Sequence, residues 1–334
     1  MSSETSGKSS RHREYDSAQA DYDSAIAQIF VAPCCRIMTE LLPLNVMLTT
    51  AERFMLQWQA RSNPLAWWWG SLTLVSAANI LVWFMLYREF YPTVAGSVGG
   101  GSDIGLMFLL CAAYVFGCAF RSVLPRADVQ RICLFDTWLS SVFVGRTVAT
   151  VAEVCFAAQW AIILHQLGGM AGAETAVNIA LVIVPIIIIA ECFSWYAVVT
   201  TNFLYNAIEN SLWAVTFFLA GIALCRLMPE FQGPVRWALI AGIVGIACFL
   251  AFLVTVDVPM YLSRWRAGHA EGNKLLGFLE GLHDVSTRWV VTHDIAHWKG
   301  ELTWMFLYFS AAVWSSLALC ALYAMEGYLT RYLA

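Results

Sequence analysis

Seven long apolar segments dominate this 334-residue chain and constrain its fold more than any other feature. Each has about 20 mostly apolar residues, the length that an α-helix needs to cross the hydrocarbon core of a bilayer. A soluble domain is about 45–50% apolar and about 25% charged, whereas this chain is 60% hydrophobic and 13% charged. The sequence therefore predicts an all-α integral membrane protein, a bundle of seven transmembrane helices. The predicted spans are residues 65–87, 104–124, 146–167, 176–199, 204–227, 235–260 and 302–325.

The segments outside these spans differ in character. Residues 1–20 are polar and lack an apolar run with a cleavage site, so we expect a disordered tail and no secretory signal peptide. Residues 21–62 are interpreted as an amphipathic juxtamembrane helix. Residues 63–334 form the predicted membrane domain, with an interfacial helix at 128–145 and a polar cytoplasmic loop at 261–301.

Basic residues are distributed unevenly between the two sides of the predicted bundle. The side with the N-terminus and the second, fourth and sixth loops carries fifteen Lys and Arg, and the other side carries four. Because these residues accumulate on the cytoplasmic side, we expect a cytoplasmic N-terminus and a C-terminus outside. The expected location is the bacterial inner membrane or another membrane that faces the cytoplasm. The few scattered basic residues predict no nucleic-acid partner.

Three glutamates, Glu153, Glu191 and Glu209, lie inside three consecutive predicted spans. An ionisable residue at the centre of a membrane helix costs about 2.5–3.5 kcal/mol and usually faces a protein interior. A rise of 1.5 Å per residue places all three about 10–13 Å from the cytoplasmic span ends. We expect one protonated general acid and one base among them. The alternative is that they only hold helices together through hydrogen bonds.

Polar and aromatic residues share helix faces with these glutamates. Arg146 and Glu153 are seven residues apart in one span and therefore lie on the same face. Arg146 is expected to neutralise that carboxylate, amides to orient substrate or hold a carboxylate, and indole rings to stabilise a cationic intermediate. The expected substrate-binding or orienting residues are Arg146, Trp195, Asn202, Asn206, Asn210 and Trp213.

His293 and His297 form an H-x-x-x-H motif shortly before the last span. On a helix the two imidazoles would share a face, a spacing that suits a divalent metal such as zinc or iron. The alternative is that they gate the cytoplasmic mouth of the bundle. The ten cysteines contain no C-x-x-C motif, and the seven in apolar spans are interpreted as free, small hydrophobic residues. The adjacent Cys34 and Cys35 lie in the juxtamembrane stretch, where lipidation is an alternative.

The leading hypothesis is an intramembrane enzyme that uses buried carboxylates for acid–base chemistry on a lipidic or isoprenoid-like substrate. Isomerisation, cyclisation and hydrolysis remain open, and the expected partners are membrane lipids and this lipidic small molecule. One alternative is a proton-coupled transporter, because intramembrane carboxylates also serve as proton relays. Another is a non-catalytic membrane subunit or assembly factor that docks through 261–301. The apolar outer halves of the spans favour the enzyme over the transporter.

Overall fold

The computed structural model describes residues 64–95, 101–272 and 274–332. The predicted tail and amphipathic N-terminal helix lie outside the described residues. The helices are α1 Pro64–Ala95, α2 Gly101–Val123, α3 Val142–Ala171, α4 Glu174–Thr200, α5 Phe203–Leu227, α6 Gly233–Phe252, α7 Val258–Ala270, α8 Phe278–Thr287, α9 Ile295–Trp298, α10 Leu302–Leu307 and α11 Val313–Tyr332.

Seven of the described helices are long and apolar enough to cross a membrane, which confirms a multi-pass α-helical membrane protein. The sixth runs from Gly233 to Ala270, because the π-helical turn Leu253–Asp257 joins α6 to α7 without a break. Its 38 residues correspond to roughly 57 Å, and the hydrocarbon core is about 30 Å thick. This helix therefore continues past the predicted end of the span at residue 260 and projects beyond the core.

The predicted interfacial helix at 128–145 is wrong. Strand β1 (Arg126–Ala127) pairs antiparallel with β2 (Ile132–Cys133), and β2 pairs parallel with β3 (Val290–Val291). Helix α3 begins only at Val142, after Ser141, whose side chain accepts a hydrogen bond from a backbone N–H of the first turn. The strands form because β3, distant in sequence, supplies a pairing partner that local helical propensity does not reveal.

Arg131 fixes the hairpin to two other parts of the molecule. Its side chain is buried and donates to the Val198 carbonyl at 2.6 Å, and it forms an ion pair with Asp284 of α8 at 2.7 Å. Carbonyl groups in the last turn of a helix have no intrahelical donor, and a cation there is favourable. Through this one side chain the loop after α2, the last turn of α4 and helix α8 meet at the same end of the bundle.

Helices α3, α4 and α5 pack in sequence order, while α11 packs against α1, α2 and α3. The core between α2 and α3 includes Tyr114 stacked on Phe156, with ring centroids 4.6 Å apart. The last membrane helix contains a second π-helical turn, Tyr308–Ala312, between α10 and α11. It brings Tyr308 against α3, and this contact completes the walls of the site described next.

Candidate functional site: carboxylates around one arginine

The three predicted glutamates meet at the guanidinium of Arg146. Its Nη2 atom lies 2.6 Å from Glu191 Oε2, 3.2 Å from Glu153 Oε2 and 3.5 Å from Glu209 Oε1. All four side chains are buried, and one ligand atom from each carboxylate lies within 4.8 Å of the others. We call these four residues the carboxylate cluster. It joins three separate helices, α3, α4 and α5.

A set of hydroxyl, amide and indole groups surrounds the carboxylate cluster. Thr150 Oγ1 donates to Glu191 Oε2 at 2.5 Å and itself accepts the Trp195 indole N–H at 3.0 Å. The Asn206 amide donates to Glu209 Oε2 at 3.2 Å, and the Tyr308 hydroxyl donates to Glu153 Oε1 at 2.8 Å. Each carboxyl group is therefore oriented by a donor in addition to Arg146.

The helical repeat explains how the sequence assembles this site. Arg146, Thr150 and Glu153 follow one another at spacings of four and three, which place all three on one face of α3. The same rule places Glu191 and Trp195 of α4 on the face that packs against α3. Neighbouring helices thus turn these polar residues toward each other.

The charges of the carboxylate cluster do not balance. Three ionised carboxylates and one guanidinium give a net charge of −2, and an uncompensated charge is expensive to bury. Oxygen Oε1 of Glu191 is buried and accepts no hydrogen bond from a described residue. The cluster is therefore built to hold a proton, since a protonated carboxyl group both lowers the charge and donates to a neighbouring oxygen.

A divalent metal fits this cluster poorly, although carboxylate oxygens are good ligands for hard cations. The Arg146 guanidinium approaches all three carboxylates at 2.6–3.5 Å and so lies where a shared metal ion would have to bind.

Of the six predicted orienting residues, Arg146 is the centre of the cluster, two belong to the hydrogen-bond network around it, and the other three have different surroundings. Trp195 and Asn206 belong to the network, whereas Asn202 caps α5 by accepting the Leu204 N–H at 3.0 Å. Trp213 stacks on a phenylalanine of its own helix, Phe217, at 5.8 Å. Asn210 makes no hydrogen bond to the cluster within the described part of the chain.

His293 and His297 do not share a helical face, so that prediction is wrong. Asp294 caps α9, and its side chain accepts the Ala296 N–H, which leaves His293 ahead of the helix. The His293 Nε2 atom lies 3.0 Å from the Leu134 carbonyl oxygen, and His297 pairs with Asp294 at 3.6 Å. The metal-binding role of the two histidines stays a prediction that no longer has the support of a shared helical face.

Tyr308 is the site residue that sequence reasoning missed. It lies in an apolar span without a flanking polar pattern, and 155 residues separate it from Glu153, which it contacts. The sequence offers one weak signal, a tyrosine hydroxyl within a transmembrane segment, since a buried hydroxyl of this kind usually finds a hydrogen-bond partner. Only helix packing shows which group that partner is.

An apolar groove opens beside the cluster, between α3, α4 and α8. Its volume is ≈ 480 Å³, and its inner wall contains Thr150, Glu191 and Trp195. The remaining lining residues are mostly apolar or aromatic: Val154, Ile188, Cys192, Tyr196, Val199, Phe278 and Leu282. Clefts of about 300–1,000 Å³ that combine apolar walls with a few polar groups are typical ligand sites.

Comparisons of the chain with protein-family models, curated proteins and solved structures give no match.

Proposed function

We propose that this protein is an intramembrane enzyme that performs acid–base chemistry on a lipidic or isoprenoid-like substrate. One observation carries the proposal: three carboxyl groups from three helices surround a single buried guanidinium. The adjoining apolar groove supports a lipidic substrate. The uneven distribution of basic residues supports a cytoplasmic position for the end of the bundle that contains the cluster.

A purely structural role does not account for the composition of the cluster. Polar residues that hold membrane helices together do so through interhelical hydrogen bonds between paired groups. Here one guanidinium serves three carboxylates, and Glu191 Oε1 receives no donor among the described residues. Carboxyl groups that share protons in a dry site provide an acid next to a base, the arrangement that proton-transfer enzymes use.

The surroundings of each carboxyl group support a division of roles. Glu191 lines the groove, so it is the carboxylate that contacts a substrate and accepts a proton from it. Glu153, held by the Tyr308 hydroxyl, and Glu209, held by Asn206, exchange protons behind it. The fixed charge of Arg146 stabilises the anionic partner in each state. Such a site adds a proton at one substrate atom and removes one at another.

Lipid analysis of cells tests this function while the substrate is still unidentified. Total lipids are compared between cells that express the unchanged chain and cells that express Glu191→Gln or Glu209→Gln. Glu174→Gln is the matched control, because Glu174 is exposed at the start of α4. We expect one lipid species to be consumed in cells that express the unchanged chain or the control. The same species should accumulate in cells that express either cluster variant. If both cluster variants convert lipids like the control, the enzyme proposal is wrong.

A second polar group keeps proton-coupled transport as an alternative. Ser316 of α11 donates to Gln159 Oε1 at 2.5 Å, and both side chains are fully buried. Gln159 lies six residues beyond Glu153 on α3, about 9 Å deeper along the helix. Transport predicts that Gln159→Leu abolishes proton-driven uptake in vesicles while lipid composition stays unchanged. The enzyme predicts altered lipids in the glutamate variants whether or not Gln159 is present.

A further inference from the structure

The groove beside the cluster has the features of an entrance for one lipid chain from the bilayer. Its outer wall consists of exposed apolar side chains: Ile188 is 49% exposed, Phe278 54% and Leu282 45%. An apolar cleft that opens on a lipid-facing surface offers a hydrocarbon chain the same environment as the bilayer. A lipid can therefore enter from the side without crossing water.

Helix α8 forms the outer edge of this groove and has the character of an interfacial helix. Val285 is fully buried, whereas Leu279 is 80% exposed. A Cβ atom at Gly281 would overlap the backbone carbonyl of Val199, so this glycine lets α8 lie directly on the end of α4. A short amphipathic helix with its apolar residues exposed is typical of the membrane–water boundary. The groove thus begins at the level of lipid headgroups and follows α4 inward.

The inner end of the groove disfavours anionic headgroups. Glu191 lines it, is 3% exposed, and keeps Oε1 without a hydrogen-bond donor among the described residues. None of the lining residues is basic, and Arg146 is engaged by three carboxylates. A phosphate or carboxylate group placed here would meet excess negative charge. An amine or a hydroxyl group would instead donate a hydrogen bond to the Glu191 carboxylate.

We propose that the groove binds a single-chain amphiphile with a cationic or neutral donor headgroup, an amine or an alcohol, with that group against Glu191. Its chain lies along α4 between Val154 and Phe278, beneath α8. This inference rests on the proposed function, because it names the substrate class of the same site. It goes further in excluding anionic lipids and in assigning the route of entry.

Photolabelling of the purified full-length chain in nanodiscs tests the inference. The probe is a long-chain alkylamine with a diazirine in its tail, and the same chain with an alcohol or a phosphate headgroup provides the comparison. We expect adducts concentrated at residues 188–196 and 278–282, with the amine and alcohol labelling these segments far more than the phosphate. Adducts spread evenly over the lipid-facing helices, or equal labelling by the phosphate, would overturn the proposal.

Two groove-filling variants and a matched control sharpen this experiment. Cys192→Trp places an indole inside the groove, and Ile188→Trp does so from an exposed position that leaves the core intact. Cys225→Trp makes the same change at another exposed cysteine, on α5. We expect about tenfold less labelling in the first two variants, a difference of about 1.4 kcal/mol, and no change in the control. Unchanged labelling in both groove variants contradicts the inference.

The labelling experiment separates this inference from the proposed function because binding is read without turnover. Glu209 lies behind Glu191, so the Glu209→Gln variant should still be labelled in the groove. Labelling in the groove together with unaltered lipids in the glutamate variants would refute the enzyme but keep the binding site. Suppose instead that the glutamate variants have altered lipids but that Cys192→Trp is labelled as strongly as the unchanged chain. This result would refute binding in the groove but keep the enzyme.

Discussion

Removal of the Arg146 charge is the most direct perturbation of the carboxylate cluster. Arg146→Met keeps most of the apolar stem but leaves three buried carboxyl groups without the cation that lies 2.6–3.5 Å from them. Removal of one partner from a buried ion pair typically costs about 3–5 kcal/mol. We expect a loss near the lower limit, because the carboxyl groups can bind protons once the cation is gone.

A double-mutant cycle tells whether this cost comes from the ion pair itself. Glu191 is the closest partner, so Arg146→Met and Glu191→Gln should be less destabilising together than the sum of the two single changes. The expected coupling is about 0.5–3 kcal/mol. Arg266→Met with Glu174→Gln is the control cycle, since both residues are exposed and lie at opposite ends of the bundle. Its two effects should add within about 0.5 kcal/mol.

The assay is a denaturant titration in detergent under conditions of reversible unfolding. It gives the free energy of unfolding for each member of both cycles. The reasoning fails if Arg146→Met costs less than about 1 kcal/mol, the average cost of a point mutation of any kind. It also fails if the Arg146 and Glu191 effects simply add. Either result would mean that the three carboxyl groups are already uncharged in the unchanged protein, so that they need no cation. Arg146 would then not organise the site.

Three further perturbations test other parts of the structure. Tyr308→Phe removes the donor to Glu153, so it should slow lipid conversion and lower the free energy of unfolding by about 1–3 kcal/mol. Burial alone would raise the pKa of Asp128, but the nearby guanidinium groups, Arg126 first among them, together outweigh burial, so the pKa lies below its usual value. The resulting stabilisation is complete above about pH 4 and is lost as the pH falls through the lowered pKa, so Asp128→Asn should flatten the acid limb of stability. Gly281→Ala should displace α8 and cost about 1–3 kcal/mol through overpacking.

Each of these perturbations has a control or a contradicting result. Tyr205→Phe changes a tyrosine that stacks on Phe193 and should leave lipid conversion intact. An Asp128→Asn protein with the same stability profile below pH 4 as the unchanged chain would contradict the ion-pair argument. Gly169→Ala is the matched glycine change, because its Cβ would meet no atom within 4 Å. Equal stabilities of the Gly169 and Gly281 variants would show that α8 does not depend on the close approach.

Sequence reasoning succeeded where the physics is local. Seven apolar segments predict seven membrane helices, since only a helix satisfies its own backbone hydrogen bonds in lipid. The helical repeat and the rise per residue were enough to predict that Glu153, Glu191 and Glu209 lie close together, and the structure brings them to one guanidinium. Such predictions need only the residue spacing within each helix and the alternating direction of neighbouring helices.

The failures of sequence reasoning involve contacts between distant parts of the chain. The hairpin at 126–133 exists because strand β3 and Asp284 lie next to it in the fold, and no local pattern announces either partner. His293 and His297 have helical spacing, but the cap formed by Asp294 starts the helix between them.

The sequence by itself determined a seven-helix membrane protein and the common level of its three glutamates along neighbouring helices, because hydrophobicity and helical geometry act along a single segment. Only the tertiary structure decided that Arg146 serves all three carboxylates, that Tyr308 completes the site, and that a groove reaches Glu191 from the side. The rotation and relative position of neighbouring helices are set by side-chain packing among segments far apart in the chain. Residue spacing within one segment contains no information about that packing.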